Sequence, residues 1–520
     1  MHITQWIFRA EQQFAKREAL EFEDRLYNWG QAADRVRRLA SALNSQGLQR
    51  NDPIAILGTN SSFYYEAIYG IPLMGGIMVP MNIRWAVPEH VYSLQDSNTQ
   101  AVLFDSSFEK VAEQIKAEDT PVKHFLFMGP AERCPAWAQP LEALMEQSQP
   151  FAQMLQADRG VAGIFYTGGT TGFPKGVVQT HSALYASSIA MVAVSGADET
   201  AVGLHAAPMF HMADLASNFL FTILGAKHVF IPAFEPKLFL DTCQAKGITD
   251  ALLVPAMIQM AFDHPEFSAE KLASVQRMLY GGSPMSEGLV RRVLELMPHL
   301  QLCQAYGQTE LAPIATLLEP KDHVTEGERA KLLRSAGRAC TSVQLRIEDE
   351  DGNVLPTGEV GEVCVSGPNA MLEYLNKPEQ TAKALVDGWV HTGDAGYLDE
   401  DGYLFIVDRT KDMIVSGGEN VFSSEVESAV STHPSVMQVA VIGIPDEQWG
   451  EAVHAIVIPK PGAERDAQGI IDHCRSKIAG YKCPKSVEFR DEPMPLSGAG
   501  KVLKRELRKP YWEGRERAVN

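Results

Sequence analysis

Ten residues, Thr167-Gly168-Gly169-Thr170-Thr171-Gly172-Phe173-Pro174-Lys175-Gly176, concentrate the groups that hold a phosphate. Glycines let backbone N–H groups approach and point at an anion. The threonines add hydroxyl donors, and the lysine adds a mobile positive charge. The order differs from a Walker A loop, which places glycine before the lysine and Ser or Thr after it; here Pro174 precedes Lys175 and Gly176 follows. A β-like run (Val161 to Tyr166) leads in and another (Val177 to Thr180) leads out, so the spacing predicts a nucleotide loop on a hairpin. Read alone, the segment is also compatible with a Gly/Thr surface turn.

Five further stretches bear on the chemistry. In Gln304-Ala305-Tyr306-Gly307-Gln308-Thr309-Glu310 an aromatic offers a flat face to a base, Thr a hydroxyl, and Glu a hard oxygen for Mg2+. In Trp389-Val390-His391-Thr392-Gly393-Asp394 a carboxylate follows a tight glycine, where it can accept both hydroxyls of a ribose. Asp408-Arg409-Thr410-Lys411-Asp412 and Ser416-Gly417-Gly418-Glu419-Asn420 read as a charged linker and a hairpin. In Pro495-Leu496-Ser497-Gly498-Ala499-Gly500-Lys501 small residues surround one lysine, a loop able to carry a charge into a closing site.

Together these segments resemble, in order from position 167 to 501, the motifs of the adenylate-forming superfamily: acyl-CoA synthetases, peptide-synthetase adenylation domains and firefly-type luciferases. The resemblance implies ATP, Mg2+ and CoA as cofactors, and an ATP- and AMP-binding set of Thr167, Gly168, Gly169, Thr170, Thr171, Gly172, Lys175, Gly282, Ser283, Tyr306, Gly307, Asp394 and Arg409. It gives Tyr306 the adenine, Thr309 a phosphate, Asp394 and Arg409 the ribose, and Glu310 with Thr171 the metal. Lys411 becomes an interdomain hinge, Gly417 and Gly418 line the pantetheine tunnel, and Lys501 bridges carboxylate and α-phosphate. Lys501, Thr309, Glu310 and His211 form the implied catalytic group. Gly281-Gly282-Ser283-Pro284 and Pro208-Met209-Phe210-His211 match at the acyl pocket and its gate, with Phe210, Met212, Ala213, Ala256 and Gly281 as pocket residues. Gly169 departs from a common Ser-Gly form and costs one hydroxyl donor. His211 stands where amino-acid-activating relatives carry an aspartate, which argues against an amino-acid substrate; a lone His at an apolar strand end is otherwise a packing residue. The implied reaction is activation of an apolar carboxylic acid, a medium- or long-chain fatty acid first, to an acyl adenylate and then to acyl-CoA. Aryl or branched acids, or loading of a carrier protein, are the alternatives. A non-catalytic nucleotide binder would be expected to lack Lys501 or Glu310, and a luciferase-like oxygenase is a third class.

The elements that must position these residues follow from length and pattern. At 520 residues the chain exceeds one ordinary core. A hydrophobic fraction of 45% with 21% charged residues fits a soluble globular protein, and a net charge of −19 argues against general nucleic-acid or anionic-membrane binding. Seven scattered cysteines, with no CxxC or Cys/His zinc spacing, suggest reduced thiols, packing roles and a cytoplasmic location. No signal-peptide pattern opens the chain. The apolar stretch Phe63 to Ile83 is interrupted by Glu66, Pro72, Gly75, Gly76 and Pro80, so it predicts a buried helix, a turn and a strand instead of a membrane span. Strand-like and helix-like runs alternate up to about residue 340, predicting an α/β architecture of two βα-layered sheets. Short strands from Val343 to Val407 predict a small antiparallel barrel. The remainder predicts a smaller α+β domain, with the boundary between 1–410 and 411–520. Its basic tail (Lys501 to Asn520) predicts a solvated helix end. A homodimer is left open.

Overall fold

A computed structural model describes residues 2–152, 160–167, 174–409, 412–416, 419–446, 448–496 and 502–513. Two large sheets dominate. In the first, of nine strands, Gln301–Gly307, Arg277–Gly281, Asp250–Leu253, Val202–His205 and Lys227–Phe230 lie side by side and parallel. Ile314–Leu318 adds an antiparallel strand beside Gln301–Gly307. In the second, of eight strands, Val161–Thr167, Ile77–Pro80, Pro53–Leu57, Ala101–Phe104 and His124–Phe127 are parallel, and Lys175–Thr180 turns back along Val161–Thr167. Strands covered by helices on both faces read as unbroken apolar runs, as Ala101–Phe104 does with every residue buried.

Two helices form the seam between the sheets. Ser62–Leu73 starts where the Ser61 hydroxyl accepts the Tyr64 N–H at 3.1 Å, and it is buried on nearly every side. Met212–Leu224 is its partner. A helix apolar all round belongs inside a protein, and some of the few polar groups on these two pair across the seam. Tyr69 Oη donates to Asn218 Oδ1 at 3.0 Å and to Thr222 Oγ1 at 2.9 Å. His205 links Asp214 (2.8 Å) to His228 (2.9 Å) beneath them. The stretch Phe63 to Ile83 is thus helix, turn and strand, and no helix among the described residues is long and apolar enough to cross a membrane.

The expected barrel is present as a five-stranded antiparallel sheet that stays open among the described residues. Its last strand, Leu404–Arg409, spends its free edge on the large sheet: Leu404 N–H donates to Gly337 O and Ala336 N–H to Leu404 O. The C-terminal unit is a second five-stranded sheet carrying helices Ser423–Ser431, Ala467–Arg475 and Lys504–Trp512. The last of these is the solvated helix expected on one face, where Arg505, Glu506 and Lys509 are exposed, and departs from that expectation on the other. Lys504 is largely buried and donates to Ser423 Oγ (2.6 Å) and Glu427 (2.7 Å), Leu507 is buried, and Arg508 pairs with Asp412 at 2.5 Å. The two carboxylates recruit cations that composition assigns to solvent.

Candidate active site

Parallel strands present their carboxyl ends along one edge, and a crevice there collects whatever the following loops carry. Val202–His205, Asp250–Leu253, Arg277–Gly281 and Gln301–Gly307 are consecutive neighbours in the first sheet. The segments after them hold Phe210 and His211, then Ala256, then Gly282 and Ser283, then Thr309 and Glu310. Residues scattered over a hundred positions therefore line one rim. Close approach of backbones shapes it. A side chain at Gly281 would place its Cβ 2.2 Å from the carbonyl oxygen of Ala305 on the next strand, and one at Gly307 would meet the Pro313 oxygen at 2.0 Å.

The acyl side of the rim is apolar. Phe210 and Met212 are buried, Ala213 and Ala256 half-buried, and the His211 ring packs on Phe210 with centroids 4.3 Å apart. His211 forms the N-cap position of helix Met212–Leu224. Asn60 pins the segment before it: its amide donates to the His205 and Ala207 carbonyls, and its oxygen accepts from Met209 N–H at 2.8 Å.

The nucleotide side is built where the two sheets meet. Strands Val161–Thr167 and Lys175–Thr180 pair antiparallel with Thr167 opposite Lys175, as the flanks predict, and residues 168–173 lie outside the described residues. Lys175 Nζ lies 4.5 Å from the centre of the Tyr374 ring, and Tyr374 Oη donates to Glu310 Oε1 at 2.7 Å. Glu310 is 8% exposed. Its turn is held on both sides, since Gln179 Nε2 donates to Thr309 O (2.6 Å) and Met371 N–H to Glu310 O (2.8 Å). Tyr306 Oη donates to Asp394 Oδ2 at 2.8 Å, joining the rim to the five-stranded sheet. Asp394 sits behind a braced turn: Thr392 Oγ1 donates to Val363 O (2.7 Å), and Gly393 N–H to Glu362 Oε1 (2.9 Å). Arg409 faces Asp394 in the strand register.

Thr167, Lys175, Gly281, Gly282, Ser283, Tyr306, Gly307, Thr309, Glu310 and Asp394 are all placed in or beside this crevice by the strands that carry them. Gly168, Gly169, Thr170, Thr171, Gly172, Lys411, Gly417, Gly418, Lys501 and the side chain of Arg409 lie outside the described residues. Asn60, Gln179 and Tyr374 were not singled out from sequence. Tyr374 lies 64 positions from the carboxylate it holds, and no local pattern links the two.

The layered sheets, the hairpin loop and the shared rim define an adenylate-forming enzyme. Residues 7–375 match the AMP-binding enzyme family and residues 425–501 its C-terminal domain, so the chain belongs to that family and is of the acyl-CoA synthetase type. A fatty acid–[acyl-carrier-protein] ligase, ScoC of Streptomyces coeruleorubidus, is 38% identical over 96% of this chain and 94% of its own length. A feruloyl-CoA synthase of an Amycolatopsis species is 36% identical over 93% and 94%. Among solved structures, o-succinylbenzoate CoA synthetase (MenE) from Bacillus subtilis, in complex with its acyl-adenylate intermediate, matches with a TM-score of 0.82 at 29% identity, covering 96% of this chain and 97% of that one.

Proposed function

We propose that this enzyme joins an apolar monocarboxylic acid to AMP and then transfers the acyl group to the thiol of CoA. A carboxylate is a poor acyl donor because its oxide is a poor leaving group. Attack on the α-phosphate of ATP expels pyrophosphate and leaves an acyl group on AMP, which the thiol can displace. In this reading the hairpin loop (Gly168 to Gly172, with Thr167 and Lys175) holds the triphosphate, Tyr306 and Gly307 flank the adenine, and Asp394 and Arg409 hold the ribose. The buried Glu310, one oxygen fixed by Tyr374, offers the hard donor that Mg2+ prefers, with Thr171 as a second. Bound there, Mg2+ would supply charge neutralisation on the phosphates. Lys501 stabilises the charge that grows on the α-phosphate, and Thr309 holds a phosphate oxygen. Residues 411–520 then turn about Lys411, which withdraws Lys501 and brings Gly417 and Gly418 to the pantetheine arm. His211 with Phe210 gates the acyl pocket.

The observation that carries the substrate assignment is the apolar surround of His211: Phe210 and Met212 are buried, and Ala213 and Ala256 half-buried. This favours a fatty acyl tail. The feruloyl-CoA relative favours an aryl acid as the second candidate, and the carrier-protein ligase favours a carrier phosphopantetheine as the second acceptor. A panel of carboxylic acids, scored by pyrophosphate release with no thiol, with CoA and with holo-carrier protein, separates these. Medium- and long-chain acids are expected to lead, with acyl-CoA as product. Acylation of the carrier alone would overturn the acceptor, and preference for amino acids would overturn the pocket assignment.

A further inference from the structure

The five-stranded sheet behind the ribose turn gathers a set of metal donors that the nucleotide chemistry does not use. Strands Gln344–Glu348, Gly361–Ser366 and Trp389–Leu398 are adjacent and antiparallel. Their register sets Glu348 opposite Glu362, and Cys364 opposite His391. All four side chains consequently meet on one face of the sheet. Cys364 Sγ is 3.5 Å from His391 Nδ1, which lies 3.0 Å from Glu362 Oε2. His391 Nε2 is 3.7 Å from Glu348 Oε2, and ligand atoms of Glu348, Cys364 and His391 all lie within 4.8 Å of one another. Cys364 is fully buried, Glu348 is 3% exposed, and His391 Nε2 is buried without a hydrogen-bond partner among the described residues.

Two of the ligand–ligand edges are close to those of a small tetrahedral site. Bond lengths of about 2.3 Å to sulfur and about 2.0–2.2 Å to nitrogen or oxygen imply ligand–ligand edges of roughly 3.3–3.6 Å. The Cys364–His391 edge falls in that range and the His391–Glu362 edge is slightly shorter. Glu348 shares its charge with Arg346, whose guanidinium also lies over the Trp389 ring. Glu362 is therefore the stronger carboxylate donor and Glu348 the fourth. Thiolate, imidazole and carboxylate together select zinc over calcium or magnesium. Spacing along the chain hides the set, because each donor comes from a different strand position and no CxxC pair exists.

We propose that Glu348, Glu362, Cys364 and His391 form a Zn2+ site that braces the ribose-binding turn. Glu362 is the link: one carboxylate oxygen faces His391, while the other accepts the Gly393 N–H, one residue before Asp394. The ion would tie three strands together and hold Glu362 on that turn. Binding forms a Zn–S bond as the Cys364 thiol loses its proton to solvent, so affinity rises with pH.

The test uses the full-length protein after chelation, titrated with Zn2+ against a chromophoric chelator and with Co2+ as a spectroscopic probe. One equivalent of Zn2+ is expected, with a thiolate-to-Co2+ charge-transfer band. Cys364→Ser should abolish the band and lower Zn2+ affinity by roughly 10–100-fold or more, and Glu362→Gln by a similar factor. Zinc loading should lower KM for ATP in the wild type and leave it unchanged in Cys364→Ser. Equal Zn2+ binding by wild type and Cys364→Ser, or Co2+ binding with no thiolate band, would overturn the site. A thermal melt of each variant separates lost metal binding from lost folding, and Cys364→Val supplies a second variant should the serine misfold.

Discussion

The large unit and the C-terminal unit hold their functional segments by different means. In the large unit the rim groups stand on parallel strand ends and are fixed by hydrogen bonds in which at most one partner is charged: Tyr374 to Glu310, Tyr306 to Asp394, Asn60 to three backbone groups. The described residues around the C-terminal motifs combine such bonds with two ion pairs. Asp408 accepts from Ser423 Oγ at 2.7 Å, Lys504 reaches Ser423 and Glu427, and Arg508 reaches Asp412. A rigid frame preorganises dipoles at little cost. In the proposed mechanism the C-terminal unit turns between two orientations, and the ion pairs of Lys504 and Arg508 would keep it compact as it does. If the comparison is sound, the two units should fail differently.

The largest expected effect is Lys501→Ala. Loss of one preorganised charge costs about 10²–10³ in rate. Pyrophosphate exchange should fall by that factor while thioester formation from supplied acyl-AMP is spared. Equal loss of both steps would show that one fixed arrangement serves both. Next comes Lys504→Met, which leaves Glu427 without its cation. Breaking a buried pair this way costs several kcal/mol, and partial exposure of this pair brings the expectation to about 2–3 kcal/mol. Limited proteolysis should then cut the C-terminal unit first and leave the large unit intact, and Lys504→Arg should restore resistance. Smaller again is Tyr374→Phe. It removes one hydrogen bond to a carboxylate, worth about 1.5–3 kcal/mol, so adenylation should fall roughly tenfold with the melting profile of the C-terminal unit unchanged.

Much of this was legible in the residues. The glycine- and threonine-rich loop, the Tyr306 to Glu310 stretch and the Trp389 to Asp394 stretch are local, and local order places them at strand ends and turns. Alternating apolar runs foretell the layered sheets, because strands covered on both faces carry no polar interruption. What stayed hidden depends on juxtaposition. Tyr374 meets Glu310 only because a short edge strand, Glu373–Tyr374, pairs with Lys175–Thr180. Cys364 meets His391 only through the register of two strands 27 positions apart. The basic tail misleads for the same reason: composition cannot say that Glu427 and Asp412 wait for Lys504 and Arg508.

The smallest effect near neutral pH comes from acid, and it should also separate the two units. The large unit buries several histidines in neutral form. Burial lowers His323, held by Tyr280 Oη, to about 4, and lowers His90 to about 4. Burial and nearby positive charge, Arg50 included, lower His2 to about 4 and His181 to about 2, and burial holds His228 well below its ordinary value. The unfolded chain takes up these protons near pH 6.5 while the native state refuses them. Stability from these groups is therefore complete above about pH 6.5 and is lost as pH falls toward 4. The loss is roughly 0.4 kcal/mol per histidine at pH 6.5 and approaches about 1.4 kcal/mol per pH unit below it. In the C-terminal unit, burial lowers His454 while Glu488 opposes the shift, and the lowered His473 is largely exposed, so its loss should be shallower. Calorimetry between pH 7.5 and 5 should show the large-unit transition moving down faster than the C-terminal one. Parallel shifts of both would mean that the two units melt as one body, and the contrast between frame and mobile unit would go with it.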